Sequence, residues 1–248
     1  MARRRVLCIT GMHRSGTSLT ASWLQGCGLV IDNGRLLGPA TGNERGHYED
    51  LDIVDFQREA ITAQVRESNG WKVHEGRPLH FSWRTRARLA VAVSRRMIKY
   101  PTWGFKDPRS ALFLNDWRRL VPGIRTLIVW RPASDVAMSL ERRASKAATN
   151  PKPNRKLSVA SGEGLVIWRA YNRLLLDYAR QHERTTIVTS LAALIANDRA
   201  VFERVNTLLD DRLSYAPLSS YAQDEMLHAD AGPADPMERE LTAISWDA

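Results

Sequence analysis

A continuously apolar run at residues 6–10 leads directly into a glycine-bounded loop, residues 11–16, which is followed by a helical pattern over residues 17–27. A short apolar run of this β-branched kind is typical of a central parallel strand. A strand, a tight loop and a helix in this order direct backbone N–H groups and the helix N-terminus at one place, which suits a bound oxyanion. The sequence therefore predicts an α/β fold that begins with an anion-binding turn.

Strand-like and helical patterns continue to alternate along the chain. Further strand-like runs occupy residues 103–106, 126–130 and 186–189, and helical patterns cover residues 51–61, 81–99, 111–120, 132–140, 165–178, 191–196 and 200–209. Strands separated by helices of this length predict a mostly parallel sheet covered by helices on both faces, for which we expect five strands. We expect one domain over residues 1–215, followed by an acidic and partly ordered tail over residues 216–248.

The charge is distributed unevenly between these two parts. Residues 1–215 carry 35 Lys and Arg against 20 Asp and Glu, whereas residues 216–248 carry one Arg against seven acids. A basic domain favours anionic ligands, including nucleic acids, acidic lipid headgroups and phosphorylated small molecules, without choosing among them. Two cysteines offer neither a disulfide framework nor a metal-ligand set, and no apolar run approaches the roughly 20 residues of a membrane span. We expect a cytoplasmic protein without a transmembrane segment.

The loop itself reads Gly-Met-His-Arg-Ser-Gly-Thr-Ser over residues 11–18. Its spacing matches the nucleotide phosphate loop, except that Thr17 stands where the lysine should be. Arg14 can supply a replacement charge with fork geometry, and a glycine-rich turn without a ligand is the alternative interpretation. The run resembles the loop with which sulfotransferases bind the 5′-phosphosulfate of 3′-phosphoadenosine 5′-phosphosulfate (PAPS). The resemblance implies that this cofactor is held by Arg14, Ser15, Gly16, Thr17 and Ser18.

A second motif of the same family follows about 115 residues later. Arg131 ends a strand-like run and Ser139 comes eight residues after it, with Pro132 and Asp135 between them as in the family pattern. In sulfotransferases this pair holds the 3′-phosphate of PAPS. The resemblance covers roughly residues 5–210 and is closest to a bacterial branch, because of the stretches at residues 46–49 and 106–109.

Sulfuryl transfer requires cations for the reacting oxygens and a base for the acceptor hydroxyl. By resemblance, Arg14 and Lys106 are the cations, although Lys106 beside Asp107 is alternatively a structural ion pair. Pro108 occupies the position of the histidine base of the cytosolic animal branch, so the base lies elsewhere. By its resemblance to the glutamate that acts as base in tyrosylprotein and glycosaminoglycan sulfotransferases, Glu49 is our first candidate for the base. The alternative interpretation is that Glu49 only stabilises the start of the helix that follows it. Other candidates are Glu44, His47, Asp50 and Asp107.

The sequence thus predicts a sulfotransferase that moves a sulfuryl group from PAPS to a hydroxyl or amine, leaving adenosine 3′,5′-bisphosphate. The acceptor is an unidentified small molecule, glycan or lipid, and we expect no metal ion. Two alternatives are a kinase with a degenerate phosphate loop, which the missing lysine disfavours, and a nucleic-acid-binding protein. The second rests on the charge and the basic stretch at residues 84–99, but no nucleic-acid-binding motif supports it. Residues 142–164 are interpreted either as a lid or as a solvated loop.

Overall fold

A four-stranded parallel sheet forms the centre of the protein. The computed structural model describes residues 4–31, 34–38, 46–65, 68, 70–148, 158–210, 212–221 and 234–246. In these residues the strands lie in the order β2-β1-β3-β4, and each neighbouring pair is parallel. The strands are β1 (Arg5–Thr10), β2 (Thr102–Lys106), β3 (Arg125–Trp130) and β4 (Thr186–Ser190).

The expectation of five strands is wrong. The four strands of the described chain are the four apolar, β-branched runs of the sequence, and the described residues between the first two helices form no further strand. The described backbone of that segment makes one isolated antiparallel bridge, between Leu36 and Asp50. The same segment reaches the sheet through one backbone hydrogen bond, from the N–H of Gly104 in β2 to the carbonyl of Val30. Neither contact makes a further strand, so β2 and β4 are the outermost strands in the described part of the chain.

Helices cover both faces of the sheet, as predicted. Alternate residues of β1 point to opposite sides, so that Val6 and Cys8 join one apolar core while Leu7 and Ile9 join the other. The helices are α1 (Thr17–Gly26), α2 (Leu51–Gln64), α3 (Trp83–Lys99), α4 (Leu114–Leu120), α5 (Ala133–Ala148), α6 (Glu163–Gln181), α7 (Leu191–Ala196), α8 (Asp198–Leu208) and α9 (Pro236–Ile244). Short 3₁₀ turns occupy Pro108–Leu112, Glu183–Thr185 and Leu218–Ser220.

The helix expected over residues 111–120 is divided into a 3₁₀ turn and α4. The Asp107 side chain accepts a hydrogen bond from the backbone N–H of Arg109, which starts the 3₁₀ turn directly after β2. Phe113 then leaves helical geometry, with φ −126° and ψ 14°, before α4 begins. This early turn fixes the backbone of Arg109 next to the end of β2.

Part of the acidic C-terminal segment packs onto the body of the protein. The α9 residues Met237 and Leu241 are buried in the core that also contains residues of α6. Beyond the helix, the backbone N–H of Trp246 donates to the carbonyl of Val188 in β4, at 3.0 Å. Among the described residues, no helix has both the length and the apolar character needed to cross a bilayer.

Candidate active site

The loop between β1 and α1 is a tight turn that requires glycine at both ends. A Cβ atom on Gly11 would lie 2.1 Å from the carbonyl oxygen of Val129 in β3. Gly16 has φ +89°, and a Cβ atom there would lie 2.5 Å from Cδ1 of Leu191 in α7. The contact at Gly11 is with backbone, and the positive φ of Gly16 strains any other residue, so both positions favour glycine. The loop therefore lies directly against its neighbours at the carboxyl end of the sheet.

The same loop offers polar groups to a ligand. The hydroxyl of Ser15 is buried and has no hydrogen-bond partner among the described residues. Thr17, also buried, begins the ten-residue helix α1. A buried hydroxyl without a partner is costly, and a helix N-terminus attracts negative charge. These residues therefore fit the 5′-phosphosulfate group that the sequence motif implies.

The two sequence motifs meet in a direct hydrogen bond. Arg14 Nε donates to Ser139 Oγ at 2.9 Å, although the residues are 125 positions apart. Arg131 lies close enough to lower the pKa of Arg14, and its own Nε donates to Asp135 Oδ2 at 3.1 Å. The indole N–H of Trp168 also binds the carbonyl of Arg131. The end of β3 and the first half of α5 are thus held against the loop.

An excess of positive charge surrounds Arg14. Burial, and to a smaller extent the nearby charges of Arg143, Arg131 and Arg142, lower the pKa of the Arg14 guanidinium to about 10. Of this group Arg143 and Arg142 extend from α5. Like charges held close together repel one another, and an anion among them relieves that repulsion. The cluster therefore fits a polyanionic ligand such as a nucleoside bisphosphate.

Lys106, at the end of β2, is buried and makes three hydrogen bonds with its ammonium group. Its Nζ donates to Oε1 of Glu49 at 2.9 Å, to Oγ of Ser18 at 3.0 Å and to the carbonyl of His47 at 3.0 Å. It therefore joins the first turn of α1 to the segment that precedes α2. Lys106 thus brings the predicted cation, the predicted base and the predicted cofactor loop into contact.

Glu49 is shared between two cations. Besides Lys106, its Oε2 lies 3.4 Å from NH1 of Arg109, whose NH1 also donates to Oδ1 of Asp107 at 2.9 Å. Burial favours the neutral acid, but the charges of Lys106 and Arg109 prevail and hold the pKa of Glu49 well below its usual range. For Asp107, burial prevails and raises the pKa of the carboxyl. Glu49 is therefore ionised at neutral pH in the ligand-free protein.

Two histidines adjoin this cluster, and both are neutral at pH 7. Burial lowers the pKa of His47 to about 4. His13, in the loop, is buried and makes T-shaped ring contacts with Trp71 and Tyr171, with centroid distances of 5.0 and 5.8 Å. Burial and the charge of Arg109 lower the pKa of His13 well below its ordinary value, and its Nε2 has no partner among the described residues.

The structure thus collects most of the residues singled out from the sequence into two adjoining groups. Arg14, Arg131 and Ser139 form one group, and Ser18, Lys106, Glu49 and His47 form the other. Glu44 lies outside the described residues, as do residues 149–157. The expected lid or loop at residues 142–164 begins differently, because residues 142–148 continue α5.

The sequence alone assigned no catalytic or binding role to Arg109, Arg143 or His13. Arg109 follows Lys106 closely in the sequence, and that proximity was the available signal for it. His13 stands inside the loop, but nothing in its neighbours shows that it is enclosed by aromatic rings. Arg143 lies on α5, four residues after Ser139, so the helical spacing places both on one face once the helix is known.

Comparison with known proteins supports the fold. No protein-family profile and no curated protein sequence matches this chain. Among solved structures, the sulfotransferase domain of the Synechococcus PCC 7002 olefin synthase is 12% identical and has a TM-score of 0.57, covering 100% of this chain and 97% of that one.

Two further solved structures resemble the chain. The sulfotransferase domain of the curacin biosynthetic pathway has a TM-score of 0.48 at 12% identity, covering 97% of this chain and 96% of that one. A sulfotransferase from Mycobacterium tuberculosis has a TM-score of 0.47 at 16% identity, and the match covers 98% of this chain and 72% of that one. The likeness to the olefin synthase domain confirms the prediction of a sulfotransferase fold.

Proposed function

We propose that this protein transfers a sulfuryl group from PAPS to a hydroxyl or amine of an acceptor. The observation that carries the proposal is the hydrogen bond from Arg14 to Ser139, which joins a 5′-phosphosulfate motif to a 3′-phosphate motif. A nucleotide with charged groups at both ends of its ribose needs two such anion sites side by side. The surplus of guanidinium groups around Arg14 supports the same ligand.

In this proposal the loop and the β3–α5 junction divide the donor between them. Ser15, Gly16 and Thr17 bind the 5′-phosphosulfate through the loop and the start of α1, while Arg131 and Ser139 bind the 3′-phosphate. Charge-assisted hydrogen bonds of this kind are stronger than neutral ones and fix geometry as well as affinity. Arg14 contacts the 3′-phosphate site through Ser139 while its backbone lies in the 5′ loop, so it links the two.

Lys106 is the proposed cation at the reacting sulfur. Sulfuryl transfer is an in-line displacement, and its catalysis depends on positioning and on stabilising charge at the transferred and leaving oxygens. The ammonium group of Lys106 is already beside Ser18 in the first turn of α1, where a phosphosulfate on the loop would arrive. Its three present acceptors keep it in place before the donor binds.

Glu49 is the proposed proton acceptor. Its contacts with Lys106 and Arg109 make it a weak base in the ligand-free protein. When the ammonium group of Lys106 turns toward the sulfuryl oxygens, Glu49 loses part of the charge that lowers its pKa and becomes more basic. The alternative proton acceptors are the neutral imidazole of His47 and the carboxylate of Asp107, whose pKa is raised.

The cofactor assignment can be tested by thermal shift. Adenosine 3′,5′-bisphosphate, ATP with Mg²⁺ and a short DNA duplex would each be added to the protein at one salt concentration, because a ligand that binds the folded state raises the melting temperature. We expect the bisphosphate to give the largest shift. A larger shift with ATP and Mg²⁺ would favour a kinase, and the proposal would then be wrong. Transfer of label from radiolabelled PAPS to components of a bacterial extract would identify the acceptor.

A further inference from the structure

Helix α3 has an exposed face that the proposed reaction does not use. The helix contains no acidic residue, and its six basic residues are Arg84, Arg86, Arg88, Arg95, Arg96 and Lys99. Thr85, Leu89 and Val93 are buried and attach the helix to the core. The opposite side is therefore a fixed surface of the folded protein and does not need to detach in order to be accessible.

Half of this exposed face is apolar. Trp83, Val91 and Ile98 are 74%, 53% and 77% exposed, and with Val166 they are the large hydrophobic residues that the described chain leaves in solvent. At about 100° per residue, Trp83, Val91 and Ile98 fall within an arc of about 80° of the helix circumference. Three large apolar side chains thus form one strip along the helix. Single exposed hydrophobic residues are ordinary, but an aligned strip indicates a binding surface.

A strip of positive charge runs beside the apolar one. By the same rotation Arg84, Arg88, Arg95 and Lys99 occupy the next arc of about 60°. Among the described residues no carboxylate pairs with Arg84, Arg95 or Lys99, and the pair of Arg88 with Glu59 is long, at 3.6 Å, and exposed on both sides. The other two arginines of the helix are paired, Arg86 with Asp116 and Arg96 with Asp50.

We propose that α3 docks on a membrane surface that contains anionic lipid headgroups. An apolar strip bordered by cations along one helix is the arrangement of an interfacial helix, in which the apolar side chains reach the acyl boundary and the cations bind lipid phosphates. Trp83, at the start of the helix, is of the residue type that prefers this boundary. A surface for nucleic acid would have cations or polar groups where Trp83, Val91 and Ile98 are, because phosphates offer nothing to an apolar strip.

The docking surface is connected to the candidate active site. Arg96, near the end of α3, forms an ion pair with Asp50, which caps α2 and directly follows Glu49. A membrane bound to α3 would therefore hold the segment that carries Glu49 at a fixed orientation to the bilayer. This docking does not depend on the proposed reaction, since no residue of the exposed face belongs to the donor site.

Vesicle co-sedimentation of the full chain tests the proposal. Vesicles of phosphatidylcholine alone would be compared with vesicles that also contain phosphatidylglycerol, in low salt. We expect binding to the mixed vesicles and little to the neutral ones. The triple substitution Arg84→Gln, Arg95→Gln and Lys99→Gln should weaken binding about 100-fold, since each cation near an anionic surface contributes about fivefold. The pair Trp83→Ser and Ile98→Ser should also weaken it.

A control with the same loss of charge distinguishes docking from general attraction. Arg180→Gln, Arg184→Gln and Arg199→Gln remove three exposed arginines that lie away from α3. Equal weakening by this control, or absence of binding to mixed vesicles, would overturn the proposal. So would tighter binding of a DNA duplex than of the mixed vesicles at the same salt, if that binding is unaffected by Trp83→Ser and Ile98→Ser. All the substituted side chains are exposed, and unchanged melting temperatures would show that the fold is retained.

Discussion

Nζ of Lys106 lies 2.9 Å from Oε1 of Glu49, and both side chains are buried. Removing Glu49 leaves Lys106 without its carboxylate, and removing Lys106 leaves Glu49 with Arg109 alone. Breaking a buried ion pair in this way typically costs about 3–5 kcal/mol of stability. The pair is therefore structural as well as central to the proposed chemistry. Experiments on it must separate a loss of fold from a loss of catalysis.

Lys106→Met should lower kcat by about 10²–10³, the range found when one group that stabilises transition-state charge is removed. It should also lower the melting temperature, because Glu49 would keep only Arg109 as a partner. Adding Glu49→Gln to Lys106→Met should restore much of the stability without restoring activity. Turnover by Lys106→Met near that of the unchanged protein would show that Lys106 is only structural.

Glu49→Gln should lower kcat by about 10²–10⁴, because the amide keeps the shape but cannot accept a proton. The dissociation constant for adenosine 3′,5′-bisphosphate should be unchanged. Asp50→Asn is the matched control, since it alters the neighbouring carboxylate, which caps α2 and pairs with Arg96. If Glu49→Gln is active while His47→Gln or Asp107→Asn is not, the proton acceptor is the residue whose change abolishes turnover.

Adenosine 3′,5′-bisphosphate should bind more tightly than adenosine 5′-monophosphate, by about 100-fold or more, if Arg131 and Ser139 hold the 3′-phosphate through charge-assisted bonds. Ser139→Ala should reduce the ratio of these two affinities about tenfold, because it removes one of the hydrogen bonds to the 3′-phosphate. Ser145→Ala, on the same helix but exposed, should leave the ratio unchanged. Calorimetry measures both affinities, and equal binding of the two nucleotides would refute the 3′-phosphate role.

Stability should fall as the pH drops from about 6.5 to about 4. In this range an unfolded chain protonates His47 and His13, whereas the folded protein keeps both neutral, because burial has lowered their pKa values. Each proton that the unfolded chain binds and the folded protein does not lowers the free energy of unfolding by up to about 1.4 kcal/mol per pH unit. The raised pKa of Asp107 acts in the opposite direction, since the folded state then binds a proton first.

Urea unfolding at several pH values measures this slope. His47→Gln should make the dependence of the free energy of unfolding on pH shallower, because the lowered pKa of His47 contributes to that dependence. An identical slope for His47→Gln and the unchanged protein would contradict the assignment of a lowered pKa to His47. Below about pH 4.5 Glu49 adds a further loss, since its pKa is lowered in the folded state.

Local patterns in the sequence were sufficient to predict most of the regular elements of this fold. The four apolar runs became the four strands, and the helical spacings of α3, α6 and α7 agree with the helices observed. The break between the 3₁₀ turn and α4 was not foreseen, because it depends on the side chain of Asp107 bonding to the next turn. Helix α9 was also missed, since an acidic, proline-containing segment gives little sign that Met237 and Leu241 are buried.

For the candidate site, spacing in the sequence indicated residues but not their contacts. The motifs around Arg14 and Arg131 can be read directly, yet the hydrogen bond between Arg14 and Ser139 follows from the order of strands β1 and β3 in the sheet. The shared position of Glu49 between Lys106 and Arg109 depends on burial and on three segments meeting. Neither the burial of a side chain nor the contact between distant segments can be read from the sequence. The effect of Lys106 and Arg109 on the pKa of Glu49 could therefore be inferred only from the folded structure.

Helix α9 has a practical consequence for anyone who shortens the chain. Glu238 Oε1 accepts the backbone N–H of Ala133 at 2.9 Å, at the start of the helix that carries Ser139. A truncation after residue 215, where the composition changes, would remove that acceptor and uncover the apolar residues beneath α9. A protein trimmed there for crystallisation or fusion would have a loosened candidate site as well as an exposed core, and weak ligand binding by it would then be mistaken for a property of the whole chain.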